Sequence, residues 1–153
     1  MPTPRTGVSI FCEDIRMEVG NKFSLMGVFG SDIAFPIPPQ PVTLPKFGIV
    51  TWLLFDIDDA PKAITLRVLG PPNRTEIVKL EAQGEPEFPY PPDELSQKGS
   101  LRFMIPIFGL QLSEEGFIEV MIESDTEPFR AGRLRVRFNA KPEEVGLPPT
   151  PSS

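Results

Sequence analysis

Apolar residues recur with period two along this chain, in short runs divided by glycine and proline, and no long stretch repeats at the 3.6-residue period of a helix. The alternation predicts strands. Twenty prolines spread through the sequence point the same way, because proline breaks helix interiors and is confined to strand edges and turns.

The first predicted strand runs from Val8 to Met17. It places Val8, Ile10 and Cys12 on one face and Ile15 and Met17 on the other parity, so a bulge is expected near Glu13-Asp14. Gly20-Asn21 is a hairpin signal, with the partner strand over Lys22 to Phe29. Gly27 and Gly30 are expected where that strand bends or another backbone approaches. Five prolines between Phe35 and Pro45 make a long extended link, suited to a chain that leaves one sheet for another. Phe47 to Phe55 is almost continuously apolar, the pattern of a central strand covered on both faces.

Ile64 to Leu69 and Thr75 to Ala82 alternate around the turn Gly70-Pro71-Pro72-Asn73, each with one dry and one wet face. Glu85 to Gly99 is a second proline-rich excursion. Leu101 to Phe108 resumes the sheet with Leu101, Phe103, Ile105 and Ile107 on one side, and Pro106 marks it as an edge or a bulge. Phe117 to Ile122 and Gly132 to Asn139 are the clearest strands, the second placing Leu134, Val136 and Phe138 opposite Arg133, Arg135 and Arg137. About eight short strands with regular turn signals predict an all-β, two-sheet antiparallel β-sandwich forming one domain over residues 1–140. Residues 141–153, rich in proline and serine, are expected to be a disordered tail.

Phe11-Cys12-Glu13-Asp14-Ile15-Arg16-Met17-Glu18, the segment Gly20 to Gly30 behind it, and Leu44-Pro45-Lys46 resemble the N-terminal half of an uncharacterised bacterial family of unknown function. That resemblance implies no activity. Leu112 to Val120 followed by Arg133-Leu134-Arg135-Val136 is similar to the closing hairpin of immunoglobulin-like sandwiches, with Phe117 where a corner tyrosine often stands. It implies an immunoglobulin-like fold and nothing about function.

Composition narrows the chemistry. Histidine is absent, which removes Ser-His and Cys-His nucleophile pairs, an imidazole base and histidine-ligated metals. A net charge of −6 repels a phosphate backbone at long range, so nucleic acid is not expected as a partner. The lone Cys12 stands in an apolar setting and is expected to be a buried, inert thiol in a reducing compartment. No uncharged stretch reaches the length of a membrane span, and the start of the chain lacks a basic, then apolar, leader; the expected location is cytoplasmic.

Candidate sites follow from charge placed in strands. Asp56, Asp58 and Asp59 offer oxygens to a hard cation, although no calcium-loop spacing is present, and a charged strand exit is the simpler reading. Glu13 and Asp14 beside Arg16 are either an acid–base pair in a cleft or charges that fix strand register. Arg133, Arg135 and Arg137 form a stripe that either holds an anion or pairs with Glu119 and Glu123 in a solvated ladder. Pro36 to Pro41 and Pro148 to Pro151 have the composition of ligands for aromatic grooves. The doubly apolar strand raises one more question. Either the Phe35 to Pro45 link or a second protomer has to cover Val50, Trp52 and Leu54 or, in the other orientation, Ile49, Leu53 and Phe55. The expected function is non-enzymatic binding of another protein chain or a second copy through a sheet face or edge, without cofactor or metal. The alternatives are a small-molecule or anion-binding module and a hydrolase working with carboxylates alone.

Overall fold

The computed structural model of the protein describes residues 5–83, 98–125 and 127–145. Among these, every element is a strand apart from two 3-10 turns, at Ile57–Asp59 and Pro142–Val145. The strands are β1 (Thr6–Glu18), β2 (Lys22–Val28), β3 (Asp32–Ala34), β4 (Val42–Asp56), β5 (Ala63–Gly70), β6 (Thr75–Gln83), β7 (Lys98–Leu112), β8 (Gly116–Glu123) and β9 (Phe129–Arg137). They form a four-stranded sheet in the order β2-β1-β4-β7 and a five-stranded sheet in the order β3-β9-β8-β5-β6.

The all-β expectation holds, with two corrections. Nine strands are present among the described residues rather than about eight, because Asp32–Ala34 is too short to show a period. That strand also pairs parallel to β9, whereas every other pair is antiparallel. The link after β3 does carry the chain from one sheet to the other, as its prolines suggest.

One core cluster joins the two sheets. Phe47, Ile49, Leu53 and Phe55 of β4 and Ile105 and Ile107 of β7 meet Leu66 and Val68 of β5, Ile118, Val120 and Ile122 of β8, and Leu134 and Val136 of β9. Period-two alternation puts these residues inward, and at about 25 cal/mol per Å² their burial is the main favourable term in folding. β6 departs from expectation. It lies at the edge of its sheet and only Ile77 and Val78 pack against the core, while Leu80 is exposed.

The sheets approach most closely where β1 crosses β9. Gly7 and Ser9 face Ala131 and Gly132, and a Cβ placed on Gly7 would stand 2.5 Å from the Cβ of Ala131. Ser9 Oγ lies 3.0 Å from the Ala131 carbonyl oxygen, to which it donates, and 2.8 Å from Thr51 Oγ1, which keeps these buried polar atoms satisfied. Small side chains therefore decide the spacing of the layers here. The inward residues of β1 are Gly7, Ser9 and Phe11, so Val8, Ile10 and Cys12 lie on the outer face of their sheet.

Arg5 closes the end of the molecule where β1 begins. Its buried guanidinium donates to the carbonyl oxygen of Asp59 at 3.0 Å, to Ser124 Oγ at 2.6 Å and to the Asp125 carboxylate at 2.5 Å. One side chain thus ties the entry of β1 to the β4–β5 link and to the β8–β9 turn. The Arg5 hydrogen bond, aided by Ser124, holds the Asp125 carboxyl below its ordinary range.

Candidate functional site

The face of β4 that points away from the core is covered by the chain's own first hairpin. Cys12 pairs with Gly48 of β4, and beyond this point β1 leaves the sheet. The side chain of Ile15 then lies over Gly48 and beside the sulfur of Cys12. Trp52 is aligned with Val8, and Phe23 with Met17. In a flat sheet nine residues of β1 would hold these rings about 30 Å apart along the strand direction. Their centroids are 6.5 Å apart, and the Arg102 guanidinium of β7 sits 4.6 Å from the centre of the Phe23 ring. The β1–β2 arm therefore doubles back across β4 and β7.

The reversal sits at Glu13-Asp14, where the change of parity predicts a bulge. The β1–β2 register runs unshifted from Cys12↔Val28 to Glu18↔Lys22. Both strands kink together instead, with Gly27 at a φ of 64°, a conformation glycine adopts without penalty, and the Glu13 side chain over it. At the tip, Gly20 and Asn21 both take positive φ, as their dipeptide signals.

The arm answers the question posed by the apolar strand. Val50 is fully buried, Trp52 is half-buried under Phe23, and Leu54 alone of the three is exposed. The Phe35 to Pro45 link does not cover this face, because it packs on the other sheet. Phe35 lies 5.2 Å from Phe138, and the backbone amides of Asn139 and Ala140 donate to the carbonyls of Ile37 and Phe35. The link is shorter than its prolines suggest, since β4 starts at Val42 and runs through Pro45.

The kink of β1 also forms one wall of an open cleft of about 670 Å³. Glu13 and Asp14 line it from β1, Leu44, Pro45 and Lys46 from β4, and Phe29 and Asp32 to Phe35 from the β2–β3 link and β3; Glu144 stands at its rim. The cleft lies between the sheets beside β3, and among the described residues β3 is an edge strand, paired only with β9. Ser31 and Phe35 direct their backbone groups to β9, with Arg135 N–H donating to the Ser31 carbonyl and Phe35 N–H to the Arg137 carbonyl. By the alternation of strand hydrogen bonding, the N–H and C=O groups of Asp32 and Ala34 point off the sheet edge.

Charge in the cleft is predominantly acidic. Asp14 pairs with Arg16 at 3.3 Å and with Lys46 at 4.0 Å. Asp32 and Glu144 share Arg137, at 3.0 and 3.1 Å, and the Asp32 hydrogen bond followed by the Glu144 charge raises the Arg137 pKa. Glu13 has no ion-pair partner among the described residues. Glu144 belongs to the 3-10 turn Pro142–Val145 and also accepts from the amide of Lys141, so part of the expected tail is structured against β9. The remaining tail, 146–153, lies outside the described residues, as does most of the Glu85 to Gly99 excursion.

The arginine stripe of β9 does share one outward face, but its members have different surroundings. Arg137 is committed to Asp32 and Glu144. Arg133 stacks at 4.8 Å over the ring of Phe117, and Arg135 has no carboxylate partner among the described residues. The expected ladder to Glu119 and Glu123 exists with other arginines: Arg74 and Arg130 pair with Glu119, and Arg67 pairs with Glu123 and Glu76. Arg133 stands directly opposite Glu119 in the β8–β9 register but turns to Phe117, while the register shift past Gly132 sets Arg130 opposite Met121, from where it reaches Glu119 at 3.4 Å.

Two of the three aspartates at the end of β4 are also committed. Asp56 pairs with Lys98 and Asp59 with Arg5, while Asp58 has no ion pair among the described residues. Among the described residues no group of three or more acidic or cysteine side chains is placed to hold a metal ion, and no helix is long and apolar enough to cross a membrane. Cys12 is fully buried and burial pushes its thiol pKa up.

The two segments with a family resemblance supply much of the cleft: Glu13, Asp14 and Phe29 from the first, and Leu44, Pro45 and Lys46 from the second. No curated protein matches the chain. A family model does match, over residues 7–137, and the chain belongs to that family, a family of unknown function designated DUF6941.

Proposed function

We propose that the protein is a non-enzymatic binding module that captures an extended segment of another protein chain in the cleft beside β3. The observation that carries this reading is the juxtaposition of a free strand edge, an apolar floor and carboxylates in one open cleft. Backbone groups of Asp32 and Ala34 would pair with the incoming strand, as in β-strand addition. Phe29, Phe35 and Leu44 would take an apolar side chain of that strand, and Glu13 with Asp14 a lysine or arginine next to it. Carboxylate acid–base catalysis has less support. Glu13 is exposed and Asp14 is tied to two cations, so neither is desolvated as a catalytic acid or base usually is.

The same reading takes the two sheets as the faces of a β-sandwich. The order β9-β8-β5-β6 corresponds to the G-F-C sheet of immunoglobulin domains extended by the variable-type C′ strand. The doubled-back β1–β2 arm has no counterpart in that scheme. A cytoplasmic location is supported by the single buried thiol.

The test is a panel of extended hexapeptides scored by fluorescence polarisation against the full chain. Peptides that place Lys or Arg beside Leu or Val are expected to bind, and the double variant Glu13→Lys/Asp14→Lys to bind them about thirtyfold more weakly, the sum of two charge contacts at the upper end of the exposed range. Equal binding of acidic peptides, or unchanged affinity in the double variant, would refute the assignment.

A further inference from the structure

We infer a second, separate site on the outer face of the five-stranded sheet: a notch that binds a phosphate or carboxylate oxyanion carried on a flat apolar group. Ser31, Asp32, Phe117, Arg133 and Arg135 line this notch, which has a volume of about 520 Å³. Its walls come from the start of β3 and from facing positions of β8 and β9, because Phe117 pairs with Arg135 and Asp32 with Arg135 in the sheet register. β3 separates it from the cleft.

The distinguishing feature is how arginine charge is distributed on this face. Arg67, Arg74, Arg130 and Arg137 each hold at least one carboxylate. Arg133 and Arg135 hold none among the described residues, and they are the two that share the notch. The acid lining the notch is Asp32, whose carboxylate is turned to Arg137 at 3.0 Å, and Glu119, opposite Arg133 in the register, is held by Arg74 and Arg130. Glu115, at the entry to β8, accepts from the Phe138 amide at 3.0 Å. Two guanidinium groups two residues apart on one strand thus face a recess with unused donors, and guanidinium forks match phosphate and carboxylate oxygens. The Ser31 hydroxyl adds a neutral donor at the rim.

Phe117 gives the notch its second preference. One side of its ring is covered by Arg133, yet the residue remains 40% exposed, so ring surface is left for an apolar group attached to the anion. The net charge of −6 does not forbid this, because charges farther than about 8 Å are largely screened at physiological ionic strength.

Phenyl phosphate and benzoate, titrated separately into the isotopically labelled full chain, test the site through the side-chain Nε–Hε signals of its arginines. Saturable shifts of Arg133 and Arg135 are expected with at least one anion, without matching shifts at Arg67, Arg74 or Arg130, and the tighter anion identifies the oxyanion class. Neutral phenol should leave these signals in place. Arg135→Gln should weaken binding about tenfold, the loss of one charge-assisted hydrogen-bonding group; Arg130→Gln, at an arginine already paired, should not. Parallel unsaturated shifts of all the arginines, no shift at all, or unaltered affinity in Arg135→Gln would overturn the inference.

Discussion

At the scale of single residues, the spacing of the two sheets rests on side chains that are barely there. Gly7 and Ser9 on β1 meet Ala131 and Gly132 on β9, and a Cβ at Gly7 would fall 2.5 Å from another Cβ. Such a clash between two strands has no flexible side-chain end that can swing away. Gly7→Ala is therefore expected to cost about 1–3 kcal/mol, the usual penalty of overpacking, read as a lower urea midpoint at constant slope. Gly30→Ala is the matched control, because nothing lies within 4 Å of a Cβ there, and its midpoint should stay close to that of the parent chain. The sequence marks Gly27 and Gly30 as bends or close approaches; Gly27 is a close approach, Gly30 lies in the link that carries the chain between sheets with nothing near it, and Gly7 goes unnoticed because its contact comes from a strand more than a hundred residues away. Cys12 is a second case. Its buried thiol, with a raised pKa, should resist an aromatic disulfide reagent in the native chain and yield one equivalent after denaturation. Rapid native labelling would contradict the burial.

At the scale of elements, the doubled-back β1–β2 arm is what sets this chain apart from a plain two-sheet arrangement. Two local signals in the sequence carry it, the change of apolar parity at Glu13-Asp14 and the excess apolarity of Phe47 to Phe55. Neither reveals the reversal alone, since a kink states that a strand bends and not where its far half lands. The ring contacts of Phe23 with Trp52 and Arg102 supply that answer. Because the chain has a single tryptophan, its emission reports on the arm directly. Phe23→Ala should shift Trp52 emission to longer wavelength and raise its quenching by acrylamide, while the β-sheet circular dichroism stays unchanged. Emission identical to that of the parent chain would mean that the arm does not cover Trp52 in solution. The cleft was half legible at this scale. Glu13, Asp14 and Leu44-Pro45-Lys46 stand out in the sequence, but β3 and Glu144 lie where no periodic pattern exists.

At the scale of the whole molecule, the two ends of β4 have opposite characters. Near Leu44 to Lys46 the chain leaves an open, acidic cleft; near Asp56 the structure is tied shut by Arg5. That clamp links three stretches far apart in sequence and makes the first described residue a structural one. Its pH dependence follows from the Asp125 carboxyl, whose folded-state pKa is lowered by the Arg5 hydrogen bond from an ordinary value near 3.8. A carboxyl of this kind binds protons less readily in the folded chain than in the unfolded one. Its contribution to stability is therefore fully present above the unfolded pKa and is lost as the pH falls through the folded value. Urea midpoints of the parent chain and of Asp125→Asn should accordingly differ at pH 6 and converge as the pH is lowered below about 4. Arg5→Ala should lose more at neutral pH, about 2 kcal/mol, because it also abandons the Ser124 hydroxyl and the Asp59 carbonyl, and its difference from the parent should shrink in the same acid window. A gap between parent and Asp125→Asn that stays constant from pH 6 to pH 2 would show that the Arg5–Asp125 pair does not couple protonation to folding, and the clamp would then have to rest on the Ser124 hydroxyl and on the carbonyl and carboxylate of Asp59.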